Sequence, residues 1–151
     1  MPPWLNSRRC STLPAPRLRA YPRETVVAEK LEAMVQLGLA NSRMKDFYDV
    51  VVLSRSFEFD GGLLARAIGA TFERRRTPLP GGLPVGLTSE FADDATKMTQ
   101  WAAFARKSGG AEIGSLAEVI AAVAAFVGKP LAAAATGAPF RGRWSPGGPW
   151  A

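Results

Sequence analysis

The stretch AEKLEAMVQLGLANSRMKDFYDVVVLSR, residues 28–55, predicts two helices separated by a short break. Its apolar residues recur at spacings of about three and four, which is the pattern of amphipathic helices. Asn41 or Ser42 is a plausible N-cap of the second helix, because both side chains can accept hydrogen bonds from exposed backbone N–H groups. We expect the two helices to span about residues 22–37 and 43–57.

A lysine and two aspartates fall on or beside faces that this pattern predicts to be buried. On a helical wheel, Lys30 lies within the apolar half of the first helix. The acidic residues Glu29 and Glu32 occupy the opposite half, which is expected to face solvent. In the second helix, Asp46 extends the apolar stripe and Asp49 borders it.

These positions allow two interpretations, because a lone buried charge costs several kcal/mol and needs a partner. The first is a structural ion pair between packed helices, formed by Lys30 with Asp46 or with Asp49. The second is a polar cleft in which the same groups face a charged ligand. Perturbed charged groups cluster at active sites, so the second interpretation stays open.

The turn before the second helix carries further donors. Ser42, Arg43 and Lys45 lie near its N-terminus, where backbone N–H groups and cationic side chains favour phosphate. Such clusters are also common as solvated surface.

The rest of the chain predicts three more helices, which gives a mainly α fold, a bundle of about five helices. They are expected at about residues 61–76, 89–107 and 115–127. Proline and glycine residues that break helices, and residues that cap helix N-termini, lie between them.

The same breaks divide the chain into three parts. Residues 1–20 are expected to form a basic, loosely ordered arm, and residues 21–130 a helical domain with a loop at 77–87. Residues 131–151, rich in alanine, glycine and proline, are expected to be a disordered tail.

Composition narrows the possible chemistry. The chain has 151 residues, a net charge of +6, no histidine and a single cysteine, Cys10. Histidine-based catalysis, histidine metal ligation and an intrachain disulfide are therefore excluded. No secretory signal or membrane span is expected, so we expect a cytoplasmic protein without a membrane partner.

Several motifs taken together resemble the AbiEii/AbiGii nucleotidyltransferase-like toxin family over roughly residues 12–128. They are Tyr21-Pro22-x-Glu24, Ala28-Glu29-Lys30-Leu31-x-Ala33, Ser42-Arg43-x-Lys45-Asp46-x-x-Asp49, Thr71-Phe72-x-x-Arg75, Pro78 and Trp101. The resemblance implies the helices that follow a polymerase-β-like core. It also implies transfer of a nucleotide from an NTP with Mg²⁺, to tRNA in some members. Such toxins act in toxin–antitoxin and phage-defence (abortive infection) systems, with a cognate antitoxin as partner.

The resemblance also implies roles for single residues. The family's essential lysine corresponds to Lys30, and a catalytic aspartate corresponds to Asp46 or, as the alternative, Asp49. Lys30 is expected near the triphosphate, where an ammonium stabilises developing negative charge. Arg43 is expected to hold a second phosphate. The aspartate is expected to orient the lysine or to activate the attacking hydroxyl.

One part of the family pattern is missing. The family's glycine-serine motif and paired metal-binding aspartates have no counterpart, and residues 1–11, MPPWLNSRRCS, contain no acid. We therefore expect a C-terminal helical half with no metal ligands, inactive by itself, whereas Mg²⁺ and NTP belong to the complete enzyme. The alternatives are a non-catalytic helical module that binds RNA or an antitoxin, and a degenerate fragment.

Two further features have competing explanations. The basic run from Glu73 to Arg76 is expected either to contact RNA phosphates or to complement the dipole at a helix C-terminus. Trp101 is expected in the core rather than as a platform for stacked bases. Trp144 and Trp150 have no predicted partner.

Overall fold

The computed structural model describes residues 22–108 and 110–151, and these form a mainly helical bundle, as predicted. One short antiparallel sheet was not predicted. The α-helices are α1 (Arg23–Leu37), α2 (Met44–Ser56), α3 (Gly61–Arg74), α4 (Ser89–Ala92), α5 (Ala95–Ser108) and α6 (Leu116–Thr136). Short 3-10 helices cover Gly38–Ala40, Val85–Leu87 and Gly110–Ile113. The strands are β1 (Phe59–Asp60) and β2 (Arg143–Trp144). The predicted arm at residues 1–20 lies outside the described residues.

The first two helices end and begin within two residues of their predicted limits. Gly38 ends α1 with a φ of 54°, a backbone conformation that glycine adopts without steric cost, and its N–H donates to the carbonyl of Met34. At the start of α2, the side-chain oxygen of Asn41 accepts a hydrogen bond from the N–H of Arg43 at 2.8 Å. The N-cap of α2 is Arg43, and no side chain caps the helix, so the prediction of Asn41 or Ser42 as the cap is wrong. Asn41 instead accepts from the N–H of the N-cap residue.

The predicted fourth helix, residues 89–107, is in fact two helices. α4 ends at Ala92, and α5 begins at Ala95. Asp94 causes the restart, because its carboxylate accepts from the N–H of Lys97 at 3.0 Å. Aspartate competes for backbone N–H groups in this way and favours a helix start over a helix interior.

The predicted fifth helix is longer than expected. α6 continues through Pro130 to Thr136, where Gly137 ends it in the left-handed conformation. Proline has no N–H for the carbonyl four residues earlier, and its ring crowds that carbonyl. Here that carbonyl belongs to Phe126, and the indole N–H of Trp150 donates to it at 2.9 Å. A residue from the chain's end thus replaces the donor that Pro130 lacks.

The expectation of a disordered tail at residues 131–151 is wrong, because this segment folds back onto the bundle. β2 pairs with β1, with Trp144 opposite Phe59. Trp144 is buried, and its indole N–H donates to the carbonyl of Ser54 at 2.7 Å. Ser54 lies in the last turn of α2, where helix carbonyls have no partner within the helix.

One core joins these elements. α3 packs extensively on α1 and on α6, and α6 also contacts α2. The largest fully buried side chains include Phe47, Phe59, Phe72, Phe91 and Phe126. α1 and α2 thereby lie side by side with their facing surfaces fixed by the same core.

Within the described part of the chain, α6 is long and apolar enough to cross a membrane by length and composition alone. Its apolar stripe packs into the core, with Val119, Val123 and Val127 all buried.

Candidate functional site

Lys30 on α1 lies between two carboxylates of α2. Its Nζ is 3.2 Å from Oδ1 of Asp46 and 3.2 Å from Oδ2 of Asp49. The Asp46 and Asp49 side chains are 6% and 0% exposed, and that of Lys30 is 17% exposed. The inward placement read from the helical wheel is therefore present, and the lysine contacts both candidate aspartates rather than one.

Two further cations close the cluster from the solvent side. Nε of Arg43 lies 2.9 Å from Oδ2 of Asp46, and Nζ of Lys45 lies 2.8 Å from Oδ2 of Asp49. Arg43 and Lys45 are one helical turn from their partners, and their side chains are 58% and 55% exposed. We call these five residues the charge cluster: Lys30, Arg43, Lys45, Asp46 and Asp49.

The charge cluster carries three cations and two carboxylates, so it has one positive charge in excess. Each buried carboxylate is within ion-pair distance of Lys30 and of one surface cation. Such pairing offsets the cost of removing a carboxylate from water. The excess charge lies on the outer side, where the side chains of Arg43 and Lys45 are more than half exposed.

Ser42 completes the set of residues that the sequence singled out. Its side chain is exposed, and its carbonyl accepts from the N–H of Met44 at 2.9 Å. It lies directly before α2, in the same turn as Arg43. A ligand at the outer side of the charge cluster would therefore be within one turn of its hydroxyl.

The sequence did not predict that a second polar side chain of α1 is buried. Glu32, which was expected to face solvent, has a side chain only 4% exposed. Its Oε1 accepts from Nη1 of Arg75 at 3.2 Å, and its Oε2 accepts from the hydroxyl of Thr77 at 2.7 Å. The segment after α3 thus covers the face of α1 that the wheel assigns to solvent. Only the Thr71-Phe72-x-x-Arg75 motif hinted at this partner.

Two arginines of the basic run at the end of α3 form ion pairs with acids of α1. Arg74 pairs with Glu29 at 3.1 Å, and Arg75 pairs with Glu32. α3 ends at Arg74, so the run does lie at a helix C-terminus. Trp101 is in the core, as expected, with its indole N–H donating to the carbonyl of Gly114 at 3.0 Å.

An open pocket of about 480 Å³ lies beside the charge cluster. It is lined by Glu32, Ala33, Gln36, Leu37, Arg43 and Arg75. Arg43 belongs both to this pocket and to the charge cluster. We call it the Arg43–Arg75 pocket.

The charge cluster does not fit a divalent metal. The carboxylates of Asp46 and Asp49 are held by ammonium and guanidinium groups, which compete with a cation for the same oxygens. Across residues 22–108 and 110–151, no group of three or more His, Cys, Asp or Glu side chains could hold a metal ion. Mg²⁺ prefers six oxygen ligands in an octahedron. The two carboxylates of this cluster are already held by cations and do not supply such a set.

Fold and cluster together define a helical domain in which three cationic side chains surround two buried carboxylates. The family model for the nucleotidyl transferase AbiEii toxin of a type IV toxin–antitoxin system matches residues 1–129, and the chain belongs to this family. Membership implies a cognate antitoxin as partner. No curated protein and no solved structure matches the chain. Residues 130–151, which include both tail tryptophans, lie beyond the matched range.

Proposed function

We propose that the charge cluster holds the phosphates of an NTP whose nucleotide is transferred to an RNA acceptor such as tRNA. The observation that carries this proposal is the excess of cations over carboxylates at a site where Lys30 is anchored but still partly exposed. A purely structural arrangement would need only one cation per carboxylate. Here three cations surround two carboxylates, and the side chains of Arg43 and Lys45 are more than half exposed.

Each residue then has a physical role. Lys30 contacts the phosphate that is transferred, because a fixed ammonium stabilises charge that develops there. Asp46 and Asp49 orient Lys30. Both are buried and held by cations, which leaves them poorly placed to accept a proton from an acceptor hydroxyl.

The outer residues complete the phosphate site. Arg43 and Lys45 contact the remaining phosphates, and Arg43 offers a planar fork that suits phosphate oxygens. The Ser42 hydroxyl adds a donor at the positive end of the α2 dipole.

The described residues do not fit the Mg²⁺ that the family resemblance implies. We propose that the carboxylates that bind the metal come from polypeptide outside the described residues, which makes this chain the helical half of the catalytic unit. The chain alone should then bind NTP but show little or no transfer to tRNA. We place this activity in the cytoplasm, in defence against phage by abortive infection.

Calorimetric titration of the chain with ATP, GTP, CTP and UTP tests the proposal. Lys30→Met should weaken NTP binding about tenfold or more, since a hydrogen bond to a charged group is lost. Lys107→Met is the matched control, because Lys107 is an exposed lysine at the end of α5. Equal affinity in both variants would refute the phosphate role of Lys30. Robust transfer of label from NTP to tRNA by the chain alone would refute the proposed division of the enzyme.

The alternative is a non-catalytic helical module that binds RNA or the antitoxin. Arg75 and Arg76, which are exposed just after the end of α3, favour it, because cationic side chains neutralise backbone phosphates. Lys30→Ala separates the two functions. A binding module should keep its macromolecular partner after this change, whereas an NTP site should lose nucleotide affinity.

A further inference from the structure

The Arg43–Arg75 pocket begins one helical turn along α1 from Lys30. Ala33 and Leu37, which follow Lys30 by three and seven residues, form its apolar floor on the same side of the helix. Arg43 lines it from the start of α2, and Arg75 lines it from the end of α3. Three segments distant in sequence thus converge on one volume of about 480 Å³.

Both arginines are held in place by buried acids. Arg43 is fixed through Nε by Asp46 at 2.9 Å, and Arg75 through Nη1 by Glu32 at 3.2 Å. The supporting carboxylates are 6% and 4% exposed, whereas the arginine side chains are 58% and 45% exposed. The hydroxyl of Thr77 fixes the other oxygen of Glu32. Each arginine is therefore anchored at one nitrogen while its side chain remains accessible.

This arrangement suits a second anion. A guanidinium has five N–H donors in a planar fork, and the contacts described use one nitrogen of each arginine. The pocket lining adds one cation, Arg75, and one carboxylate, Glu32, to the charge cluster, so cluster and pocket together hold four cations and three carboxylates. Because the ion pairs already restrict both side chains, a phosphate that binds between them loses less rotamer entropy than it would on mobile arginines.

We propose that the Arg43–Arg75 pocket binds a second phosphate group, one helical turn from the phosphate on Lys30. Its ligand is a phosphate carried either by the polyphosphate chain of the NTP or by the backbone of the acceptor RNA. The proposal deepens the proposed function, since it places a further part of the nucleotide or of its acceptor beside the same cluster. The Arg75 contact itself is independent of any role for Lys30.

Paired substitutions of adjacent arginines test it. Arg75→Gln removes the positive charge but keeps an amide that can donate to Glu32. Arg74→Gln is the matched control, because Arg74 is also half exposed and paired with an acid of α1 but does not line the pocket. Arg75→Lys is a second variant, which keeps the charge beside Glu32 while removing the fork. Urea unfolding of each variant shows whether the fold persists.

The probes are sodium tripolyphosphate, ATP and a short single-stranded RNA, each titrated calorimetrically at fixed ionic strength. Arg75→Gln should weaken at least one of them about tenfold, and Arg75→Lys should weaken the same probe to a smaller extent. Arg74→Gln should change affinity less than twofold. Weaker binding of tripolyphosphate and ATP assigns the pocket to the NTP. Weaker binding of RNA alone assigns it to the acceptor strand.

Other outcomes overturn the inference. The inference fails if Arg75→Gln and Arg74→Gln change the affinity for all three probes equally. It also fails if the unsubstituted chain binds none of them. The result for Lys30 remains separate. If Lys30→Met leaves ATP affinity unchanged while Arg75→Gln weakens RNA binding, the proposed NTP site fails and the pocket stands.

Discussion

Two junctions in this chain bury different kinds of side chain: charged groups in one and aromatic rings in the other. α1 meets α2 through the charge cluster, in which buried carboxylates are held by cations. α6 meets the C-terminal segment through packed aromatic rings, with the centroid of Phe126 4.8 Å from that of Trp144 and 6.0 Å from that of Trp150. The first junction lies within the range matched by the family model, and both tryptophans of the second lie beyond it.

This difference separates a junction that stabilises the fold from one where we expect function. Burial of large aromatic rings stabilises a fold directly. Burial of charge at best breaks even against apolar packing, although removal of one partner is costly. A fold that needed only stability would use the aromatic solution at both junctions. The charged one is therefore where we expect function, and each prediction below tests this contrast.

The largest effect is expected at the aromatic junction. Trp144→Ala should lower the free energy of unfolding by about 3–5 kcal/mol, since it removes a buried ring and the donor to the Ser54 carbonyl. Urea denaturation followed by circular dichroism measures this change. Arg141→Ala, at an exposed residue of the same segment, is the control. A loss below about 1 kcal/mol would mean that the tail contributes little to the fold.

The next largest effect is expected within the charge cluster. Asp49→Ala should cost about 3 kcal/mol, because the carboxylate is fully buried and Lys30 and Lys45 both lose a partner. The same denaturation assay measures it. Lys30→Met should be milder, because the two aspartates keep Arg43 and Lys45 and the methionine suits the apolar neighbours. If Lys30→Met costs as much as Asp49→Ala, the lysine is mainly structural.

A smaller effect isolates one hydrogen bond of the aromatic junction. Trp150→Phe keeps an aromatic ring but removes the indole N–H that reaches the Phe126 carbonyl. The free energy of unfolding should fall by about 1–2 kcal/mol, as expected when a partly buried acceptor loses its donor. Amide hydrogen exchange around Phe126 should accelerate in this variant. Unchanged exchange there would show that water replaces the indole without cost.

The smallest effect concerns the start of α6 and depends on pH. The backbone N–H and then the hydroxyl of Ser115 lower the pKa of the Glu118 carboxyl below its ordinary 4.5. A lowered pKa stabilises the folded state above pH 4.5, and this contribution is lost as pH falls through the lowered value. Glu118→Gln should therefore be less stable than the parent at pH 7, and the gap should narrow below pH 4.5. Thermal unfolding of both proteins across that range measures it.

Much of the first junction could be predicted from local sequence. The wheel identifies Lys30 and Asp46 because a helix repeats every 3.6 residues, and any charge within an apolar stripe is visible in one segment. Glu32 was misassigned for a related reason. The wheel shows which half of α1 is polar, but it does not show that Arg75 and Thr77 come from 43 and 45 residues away to cover that half.

The second junction was missed because its contacts are longer in range still. Trp144 reaches Ser54 across 90 residues, and a composition rich in glycine and proline predicts disorder when such a contact is unknown. Pro130 reinforced the error, since a proline inside an apolar pattern normally ends a helix. The split between α4 and α5 was a lesser error. Asp94 caps α5, but because the helical pattern continues on both sides of it, the sequence predicted one helix there.

Pro130 and Trp150 should behave as a coupled pair in evolution and in engineering. Where an alanine replaces Pro130, the helix regains its own amide donor for Phe126, and the indole N–H of Trp150 becomes redundant. The cost of Trp150→Phe should then shrink, so the two substitutions together should be milder than the sum of each alone. Related chains without a proline at this point of the helix would be free to lose the last tryptophan, and β2 with the buried Trp144 would then be left to hold the segment on the bundle.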